Sequence, residues 1–428
     1  MEQQKNAAGN AEPEFAAFIG IDWADKKHYW SLSTGNGKIE RGTLDNTPEA
    51  VEVWMMEIRR RFEAGPVAVA LEQRKGALVT MLGKYGHAYL YPVHPRTVAK
   101  LREAWYPSGS KDDVKDADLL LEILTKNRDR LRRLDPDTKE MRLLQFQVEN
   151  RRKLVDERTA LANKLKDTLK IYFPQIPLWF PDVSTELVCD LLTKWPTLEQ
   201  LRKARPATLE KFFHEHRCRD EETIGQRIEA IRSAVEATGD EAVIVSSLTM
   251  VAPWIGQLAV LRQAIRELEK GIADLAEKQE DWAIFDSLPG AGDVMAPRLM
   301  AAMGSQRERF ESANELQCFS GIAPVKEASG NSVWIHFRWA CPKFTRQTFH
   351  EWAACSIPQC EWAKDLYDQL KARGKDHHMA VRVIAFKWMR ILYRCWKDRV
   401  PYREDVYMAS LAKRSIPIKK LKAAVQMP

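Results

Sequence analysis

The feature that most constrains the fold of this chain is a run of 36 residues, 138–173, that contains neither glycine nor proline. One continuous helix over this run would be about 54 Å long at 1.5 Å per residue. Three prolines between 174 and 181 end it, and a second helical stretch follows at 256–280. That stretch carries apolar residues near heptad spacing. We therefore predict two long helices that pair, either within one chain or between two copies. The heptad-like positions are Leu258, Leu261, Ile265, Leu268, Ile272 and Leu275.

Length and composition set the broad class of protein. A chain of 428 residues predicts two or three domains, and 45% hydrophobic with 29% charged residues is typical of globular proteins. We expect no apolar run near the roughly 20 residues that a membrane span needs. The seven cysteines include no C-x-x-C pair, which favours reduced thiols in the cytoplasm over a disulfide framework or a zinc site.

The region 15–133 alternates strand and helix patterns. The apolar stretch 16–24 predicts a buried strand, and two further β runs flank a Gly-Asn-Gly turn. A helical pattern at 48–63 is followed by strand patterns at 66–73 and 87–93, and an aspartate-rich helix closes the region. Antiparallel strands followed by βα units predict an α/β domain with a mixed sheet.

Four acidic residues of this region are candidates for a metal site. Asp22 ends the first predicted strand and Glu72 ends the strand at 66–73, while Asp113 and Asp116 share one face of the aspartate-rich helix. A carboxylate at the end of a buried strand is costly unless a partner compensates its charge. Four such groups would hold two Mg²⁺ ions about 4 Å apart, an arrangement suited to phosphodiester displacement. Taken singly, each acid is more simply a helix cap or a surface charge.

Positive charge is concentrated at the C-terminal end. Residues 371–428 contain 15 Lys and Arg against 4 Asp and Glu, and aromatic residues lie among them. Such a segment suits a polyanion such as DNA or RNA, although a solvated helix face above aromatic packing has the same composition. Together with a basic helix in 318–353, it supplies the candidate nucleic-acid contacts Lys343, Arg346, Arg382, Lys387, Arg390 and Arg394.

A Leu-Pro-Gly-x-Gly turn lies between two helical patterns in 285–310. This order is typical of a helix-hairpin-helix, in which backbone N–H groups near Gly290 and Gly292 would bind a phosphate. The alternative is a plain glycine turn between packed helices. A loop rich in small residues and the basic helix follow in 318–353. The predicted domains are a tail at 1–14, an α/β domain at 15–133, a helical coiled-coil region at 134–281 with a helical insert at about 182–246, a mainly helical domain at 282–400 and a basic tail at 401–428.

Six short motifs occur along the chain in this order: "GIDWADKKHYW", "ALEQ", "SKDDVKDADLL", "LPGAGDVMAPRLMAAMG", "FSGIAP" and "ASG". In this order and spacing they resemble the insertion-sequence 110 family of transposases, over nearly the whole chain outside the N-terminal tail and the insert. The resemblance implies a RuvC-like Asp-Glu-Asp-Asp domain, a coiled-coil linker and a C-terminal transposase domain with a nucleophilic serine. The four acids of the family fall on Asp22, Glu72, Asp113 and Asp116, and its serine falls on Ser329.

The resemblance also implies partners and a reaction. Family members act on donor and target DNA and are guided by a structured RNA from the noncoding end of the element. The implied reaction proceeds through a covalent phosphoserine and is assisted by Mg²⁺. The implied assembly is a homo-oligomer (dimer to tetramer). It would act in the bacterial cytoplasm and associate with the nucleoid when bound to DNA. Asp112 stands where the family usually has threonine and therefore competes with Asp113 as a ligand. Ser320 and Ser332 compete with Ser329 as the nucleophile.

Two other functions remain open from the sequence. One is a Mg²⁺-dependent, resolvase-type endonuclease in which water is the nucleophile and Ser329 is structural. The other is a non-catalytic nucleic-acid scaffold with a degenerate acidic cluster. Formation of a covalent protein–DNA adduct separates the first from the transposase, and metal-dependent cleavage separates both enzymes from the scaffold.

Overall fold

The structure is a computed structural model that describes residues 13–35, 37–106 and 113–413, and the chain divides after Pro136 into two units. Its strands are β1 (Ala17–Asp22), β2 (Lys27–Ser33), β3 (Ile39–Asp45), β4 (Val67–Leu71), β5 (Ala88–Pro92), β6 (Val325–Ser329) and β7 (Ser332–His336). Its α-helices are α1 (Pro48–Arg61), α2 (Ala77–Leu82), α3 (Pro95–Trp105), α4 (Asp113–Lys126), α5 (Lys139–Tyr172), α6 (Gln175–Trp179), α7 (Glu186–Lys194), α8 (Leu198–Lys203), α9 (Pro206–Glu215), α10 (Glu221–Ser233), α11 (Glu241–Ala276), α12 (Trp282–Asp286), α13 (Gly292–Met303), α14 (Ala313–Phe319), α15 (Lys343–Ser356), α16 (Glu361–Ala372), α17 (His377–Asp398) and α18 (Glu404–Lys413).

The N-terminal unit contains a five-stranded sheet in the order β3-β2-β1-β4-β5. Strands β1 to β3 pair antiparallel, and β4 and β5 run parallel to β1. Every residue of β4 is buried, as expected of a strand covered on both faces, whereas β3 at the edge is largely exposed. The prediction of an α/β domain with a mixed sheet is confirmed. This topology places the carboxyl ends of β1 and β4 side by side.

The two long helices of the second unit are α5 and α11, and they pack against each other. The prediction of one helix over 138–173 is confirmed by α5, which has 34 residues. The heptad positions Leu258, Ile265 and Ile272 of α11 are buried. The predicted start of the second helix at 256 is wrong, because α11 begins at Glu241 and continues through Pro253. Packing along α5 outweighs the local cost of a proline within the helix.

Helix α11 also overturns the expectation about apolar runs. Residues 242–261 are 20 residues without a charged side chain, interrupted only by small and neutral polar residues. By length and composition α11 could cross a membrane, with a mean hydropathy of 1.7 over an 18-residue window of which 17% is buried. One such helix is weak evidence for a membrane span.

Five short helices, α6 to α10, form the helical insert between α5 and α11. They pack around a core that includes Phe173, Leu191, Leu209 and Phe213, together with apolar residues of the two long helices. The helices of the insert extend from Gln175 to Ser233, so they begin and end earlier than the predicted 182–246.

The C-terminal part of the second unit is built on α12 to α18 around Phe349, Trp352, Trp388 and Trp396. Residues of α5 and α11, such as Leu144, belong to the same core, so the domain boundary predicted at 281 falls within this unit. The segment predicted to be a loop before the basic helix contains the antiparallel hairpin β6–β7, and α15 follows as the basic helix.

Candidate functional site

Three of the predicted acidic residues lie together in the N-terminal unit. Asp22 ends β1, Asp113 begins α4, and Asp116 lies one turn further along α4. One carboxylate oxygen from each lies within 4.8 Å of the others. Asp116 is buried, and the other two are partly exposed. Oxygen ligands at this spacing suit a hard divalent cation, so the residues present fit the metal that the sequence predicts.

The close approach of α4 to β1 brings these side chains together. A Cβ atom at Gly20 would overlap the carbonyl oxygen of Ala117 and the backbone nitrogen of Leu121. Glycine is therefore required two residues before Asp22, because only its bare backbone lets the helix lie directly on the strand. Ala117 and Leu121 are buried in this contact, which leaves Asp116 facing the end of β1.

Asp118 fixes α4 from another side and takes no part in the group of three. It accepts hydrogen bonds from Ser31 Oγ at 2.6 Å and from Arg41 Nε at 3.0 Å. Both partners lie on strands of the sheet, so Asp118 ties the helix to the sheet. The aspartates of α4 thus have two roles. Asp113 and Asp116 belong to the acidic group, and Asp118 holds the helix on the sheet.

Glu72, the fourth predicted ligand, lies at the same edge of the sheet but outside the group of three. It directly follows β4, whose last residue, Leu71, pairs with Ile21 of β1. Glu72 therefore neighbours Asp22 along the backbone of the sheet edge, while its carboxylate is not among the clustered oxygens. Asp112, the rival of Asp113, lies outside the described residues.

An arginine that the sequence analysis missed contacts the acidic group. Arg102 of α3 binds Asp116 through two hydrogen bonds, from Nε at 2.6 Å and from Nη2 at 2.5 Å. This bidentate pair compensates the charge of the most buried carboxylate. No spacing in the sequence marks Arg102, because it lies 14 residues before Asp116 on a different helix.

Ser329 is the last residue of β6 and pairs with Ser332 across a turn at Gly330, whose φ is +57°. Both serines are exposed. Ser320, in contrast, is fully buried at the end of α14, where its Oγ donates to the carbonyl of Gln317 at 3.1 Å. The hydroxyl of Ser320 therefore has a structural role and no access to a DNA strand. Ser332 remains the rival of Ser329.

The glycine turn at 288–292 connects α12 to α13, as predicted, but Gly290 is engaged within the protein. Its N–H donates to Gln359 Oε1 at 3.0 Å, and a Cβ atom there would lie 2.6 Å from the backbone nitrogen of Ser356. This favours the plain packing turn at Gly290. Gly292, which begins α13 with a φ of +48°, faces open space and remains a candidate phosphate contact.

The basic candidates differ in their surroundings. Lys343 and Arg390 are exposed, and Arg394 is exposed beside Asp398. Lys387 lies over the rings of Trp362 at 4.8 Å and Tyr407 at 5.7 Å, where burial lowers its pKa. A lysine held over core rings is poorly placed to bind a phosphate, so we do not retain Lys387 as a contact.

The aromatic residues that lie among the basic residues of 371–428 are largely part of the core. Trp388 and Trp396 are fully buried and Tyr402 is nearly so. These rings therefore match the alternative given for 371–428, in which aromatic residues pack beneath a solvated helix face. Arg346 and Arg382 contact a different ring, Phe337, at 5.0 and 4.1 Å from its centroid.

Comparison with known proteins supplies the class. Residues 19–174 match the family model for DEDD transposases of IS110 elements, and residues 283–368 match the model described as "Transposase IS116/IS110/IS902 family". The chain is 25% identical to the proposed transposase of the IS117 mini-circle of Streptomyces coelicolor, covering 94% of this chain and 98% of that protein. It is 24% identical to an uncharacterized 44.8 kDa protein of insertion element IS116 from Streptomyces clavuligerus, covering 89% and 95%.

The acidic α/β unit and these matches define an enzyme of the DNA transposase class, whose substrates are DNA. Within that class the chain belongs to the IS110 family. The acidic residues that give the first family model its name are of the type that binds divalent metal ions, and an acidic triad is present here.

Proposed function

We propose that this transposase cleaves and rejoins DNA through a covalent phosphoserine on Ser329. In this proposal the acidic group binds Mg²⁺, and the complete site holds two ions. The observation that carries the proposal is the meeting of Asp22, Asp113 and Asp116 within 4.8 Å. These three side chains would hold the metal, and Glu72 at the same sheet edge would complete the set. Bound Mg²⁺ would neutralise charge on the phosphate oxygens during displacement.

Ser329 would perform the first exchange of bonds. Its Oγ forms a bond to phosphorus while the bond from phosphorus to one DNA strand breaks. The hydroxyl proton leaves to solvent, and the departing strand oxygen takes up a proton. The hydroxyl of the incoming strand then attacks the phosphoserine, which restores Ser329 and rejoins the DNA. Exposure of Ser329 at a hairpin turn supports this role, since a DNA backbone can reach it.

The proposal includes a structured guide RNA, a homo-oligomer of two to four copies and action in the cytoplasm, associated with the nucleoid. Support for these points is the family resemblance. In such a complex, base pairing by the RNA selects the donor and target sequences, and the protein recognises the shape of the nucleic acid. Exposed basic residues such as Lys343, Arg390 and Arg394 would contact its backbone.

The decisive experiment traps the covalent intermediate. Purified protein is incubated with nicked suicide substrates made from the ends of its own element, and adducts are resolved on denaturing gels and mapped by peptide sequencing. We expect phosphate on Ser329, no adduct with Ser329→Ala, and an adduct with Ser332→Ala, the matched control across the turn. Phosphate on another residue overturns the assignment. Cleavage by Ser329→Ala at the wild-type rate would establish the water-dependent endonuclease instead.

The guide RNA is tested separately in cells. A plasmid that carries the reading frame with its flanking noncoding segments should transpose, and deletion of the segment that encodes the RNA should abolish transposition. Supplying the deleted transcript from a second plasmid should restore it. Undiminished transposition after the deletion would refute guidance by an RNA from the element.

A further inference from the structure

The hairpin β6–β7 that carries Ser329 also carries an uncovered apolar surface. All five residues of β7 are exposed, including Trp334 at 50% and Ile335 at 67%, and Trp339 beyond the strand is 73% exposed. A two-stranded hairpin without a covering layer is marginal in water. Large rings that face solvent on such an element indicate a surface that meets a partner.

At the base of the hairpin two guanidinium groups contact one ring. The Cζ atoms of Arg346 and Arg382 lie 5.0 and 4.1 Å from the centroid of Phe337, whose ring is also 4.5 Å from that of Trp339. Arg346 Nη1 and Arg382 Nε are buried and have no hydrogen-bond partner among the described residues. Two guanidinium groups side by side favour a nearby anion, because charge-assisted hydrogen bonds to them are strong.

Burial and a second cation have the largest effects on the charge of Arg382. Burial and the neighbouring charge of Arg346 lower the pKa of Arg382. Asp376, the acid that favours the charged form of Arg382, accepts the N–H of Met379 as the N-cap of α17. Burial, Arg382 and two histidines lower the pKa of His350 to about 4, so at neutral pH it adds no charge.

We propose that Phe337, Trp339, Arg346 and Arg382 form a seat for an unpaired DNA strand at the base of the hairpin that carries Ser329, with the phosphate on the two guanidiniums and a base on the exposed indole. The proposal rests on the proposed function for the role of Ser329. Guanidinium forks match phosphate oxygens, and aromatic faces stack on bases of any sequence. A single nucleic-acid strand supplies both a phosphate for the two cations and a base for the exposed ring.

The length of the hairpin gives the seat a position along the strand. Five residues of β-strand separate the base of the hairpin from its turn, which is about 17 Å. A strand that keeps the stacking of double-stranded DNA rises about 3.4 Å per nucleotide. The seat would therefore hold the DNA on the order of five nucleotides from the phosphate joined to Ser329.

The test measures binding by the full chain. A fluorescein-labelled single-stranded DNA of about 15 nucleotides, within the usual site sizes, is titrated by anisotropy over a range of NaCl concentrations. Arg346→Gln and Arg382→Gln should each weaken binding about ten-fold and reduce the salt slope by about 0.7, the value for one phosphate contact on a single strand. Trp339→Ala should weaken binding about ten-fold with no change in slope. Arg403→Gln, which removes an exposed arginine already paired with Asp405, is the matched control and should change neither.

Several outcomes decide the matter. Wild-type affinity of both arginine variants for single-stranded DNA overturns the seat. An equal loss for duplex DNA overturns its preference for an unpaired strand, and a loss for RNA of the same sequence but not for DNA overturns the choice of DNA. Arg346→Lys keeps the charge but not the fork, so it should recover part of the affinity even if Arg346→Gln is poorly folded.

The placement is tested by photo-crosslinking. A suicide substrate with 5-iododeoxyuridine about five nucleotides from the scissile phosphate should crosslink to Trp339, and a crosslink that maps to another region overturns the placement. Failure of this inference and failure of the proposed function are distinguishable. An adduct on Ser329 with unchanged binding by the arginine variants defeats only the seat. Weakened binding with an adduct elsewhere defeats only the role of Ser329.

Discussion

Arg102 offers the sharpest test of the acidic group, because it holds the most buried of the three carboxylates. Asp116 is 1% exposed and lies within 4.8 Å of two other carboxylates. Arg102→Gln would leave it without its bidentate partner. Breaking one side of a buried ion pair costs about 3–5 kcal/mol. The side chain of Arg102 is 23% exposed, so we expect about 2–3 kcal/mol of destabilisation when no divalent cation is present.

The assay is thermal unfolding of the full-length protein in EDTA and in excess MgCl₂. In EDTA the variant should melt several degrees below the wild type. In MgCl₂ most of that difference should disappear, because a bound cation compensates the same carboxylates and stabilises the state that binds it. The matched control is Arg41→Gln, which removes a pair with Asp118 whose arginine is 48% exposed. It should cost at most about 1 kcal/mol, equally in both solutions.

Two results would refute the reasoning. Equal destabilisation of Arg102→Gln in EDTA and in MgCl₂ would show that the acidic group takes no cation that replaces the guanidinium. A wild-type melting temperature in EDTA would show that the ion pair contributes nothing and that Asp116 tolerates burial alone.

Three further predictions concern the N-terminal unit and α15. Asp22→Asn should raise the melting temperature in EDTA and abolish recombination, because it relieves carboxylate repulsion and removes a ligand; a variant that recombines normally excludes Asp22 from the site. Gly20→Ala should cost at least 1–3 kcal/mol and weaken Mg²⁺ binding in calorimetry, whereas Gly86→Ala, where a Cβ atom meets nothing within 4 Å, should do neither. The lowered pKa of His350 means that the folded state binds fewer protons than the unfolded state, so the free energy of unfolding should fall as pH drops from 6.5 toward 4. His350→Gln should reduce that loss in denaturation curves. A pH dependence equal to that of the wild type would refute the prediction.

The parts of the fold that the sequence predicted are those with a local cause. In 15–133 the alternation of apolar strand patterns and helical patterns depends only on residues close together in the sequence. The five-stranded mixed sheet follows from that alternation. The absence of glycine and proline over 138–173 likewise led to α5. Predictions failed where packing outweighed local preference, as at Pro253, where α11 continues because it lies along α5.

The candidate site divides in the same way. Asp22, Asp113 and Asp116 could be selected from the sequence, because strand ends and helix spacing place carboxylates predictably at one edge of a parallel pair. Arg102 could not be selected, because its contact with Asp116 depends on how α3 packs near α4. The surroundings of Lys387 were likewise hidden, since a basic residue over core rings has the same sequence signature as one on a solvated face.

The sequence by itself thus determined the order of the elements, the type of sheet, the long helices and the acidic residues that meet at one sheet edge. Each of these follows from periodicity or from the direction of a strand. Only the tertiary structure decided which serines are exposed, which aromatic rings are core, and that Phe337 lies against Arg346 and Arg382. Those facts depend on contacts between residues distant in the chain. Burial and charge compensation are properties of a side chain's neighbours in space, and the neighbours are set only when the helices and strands pack.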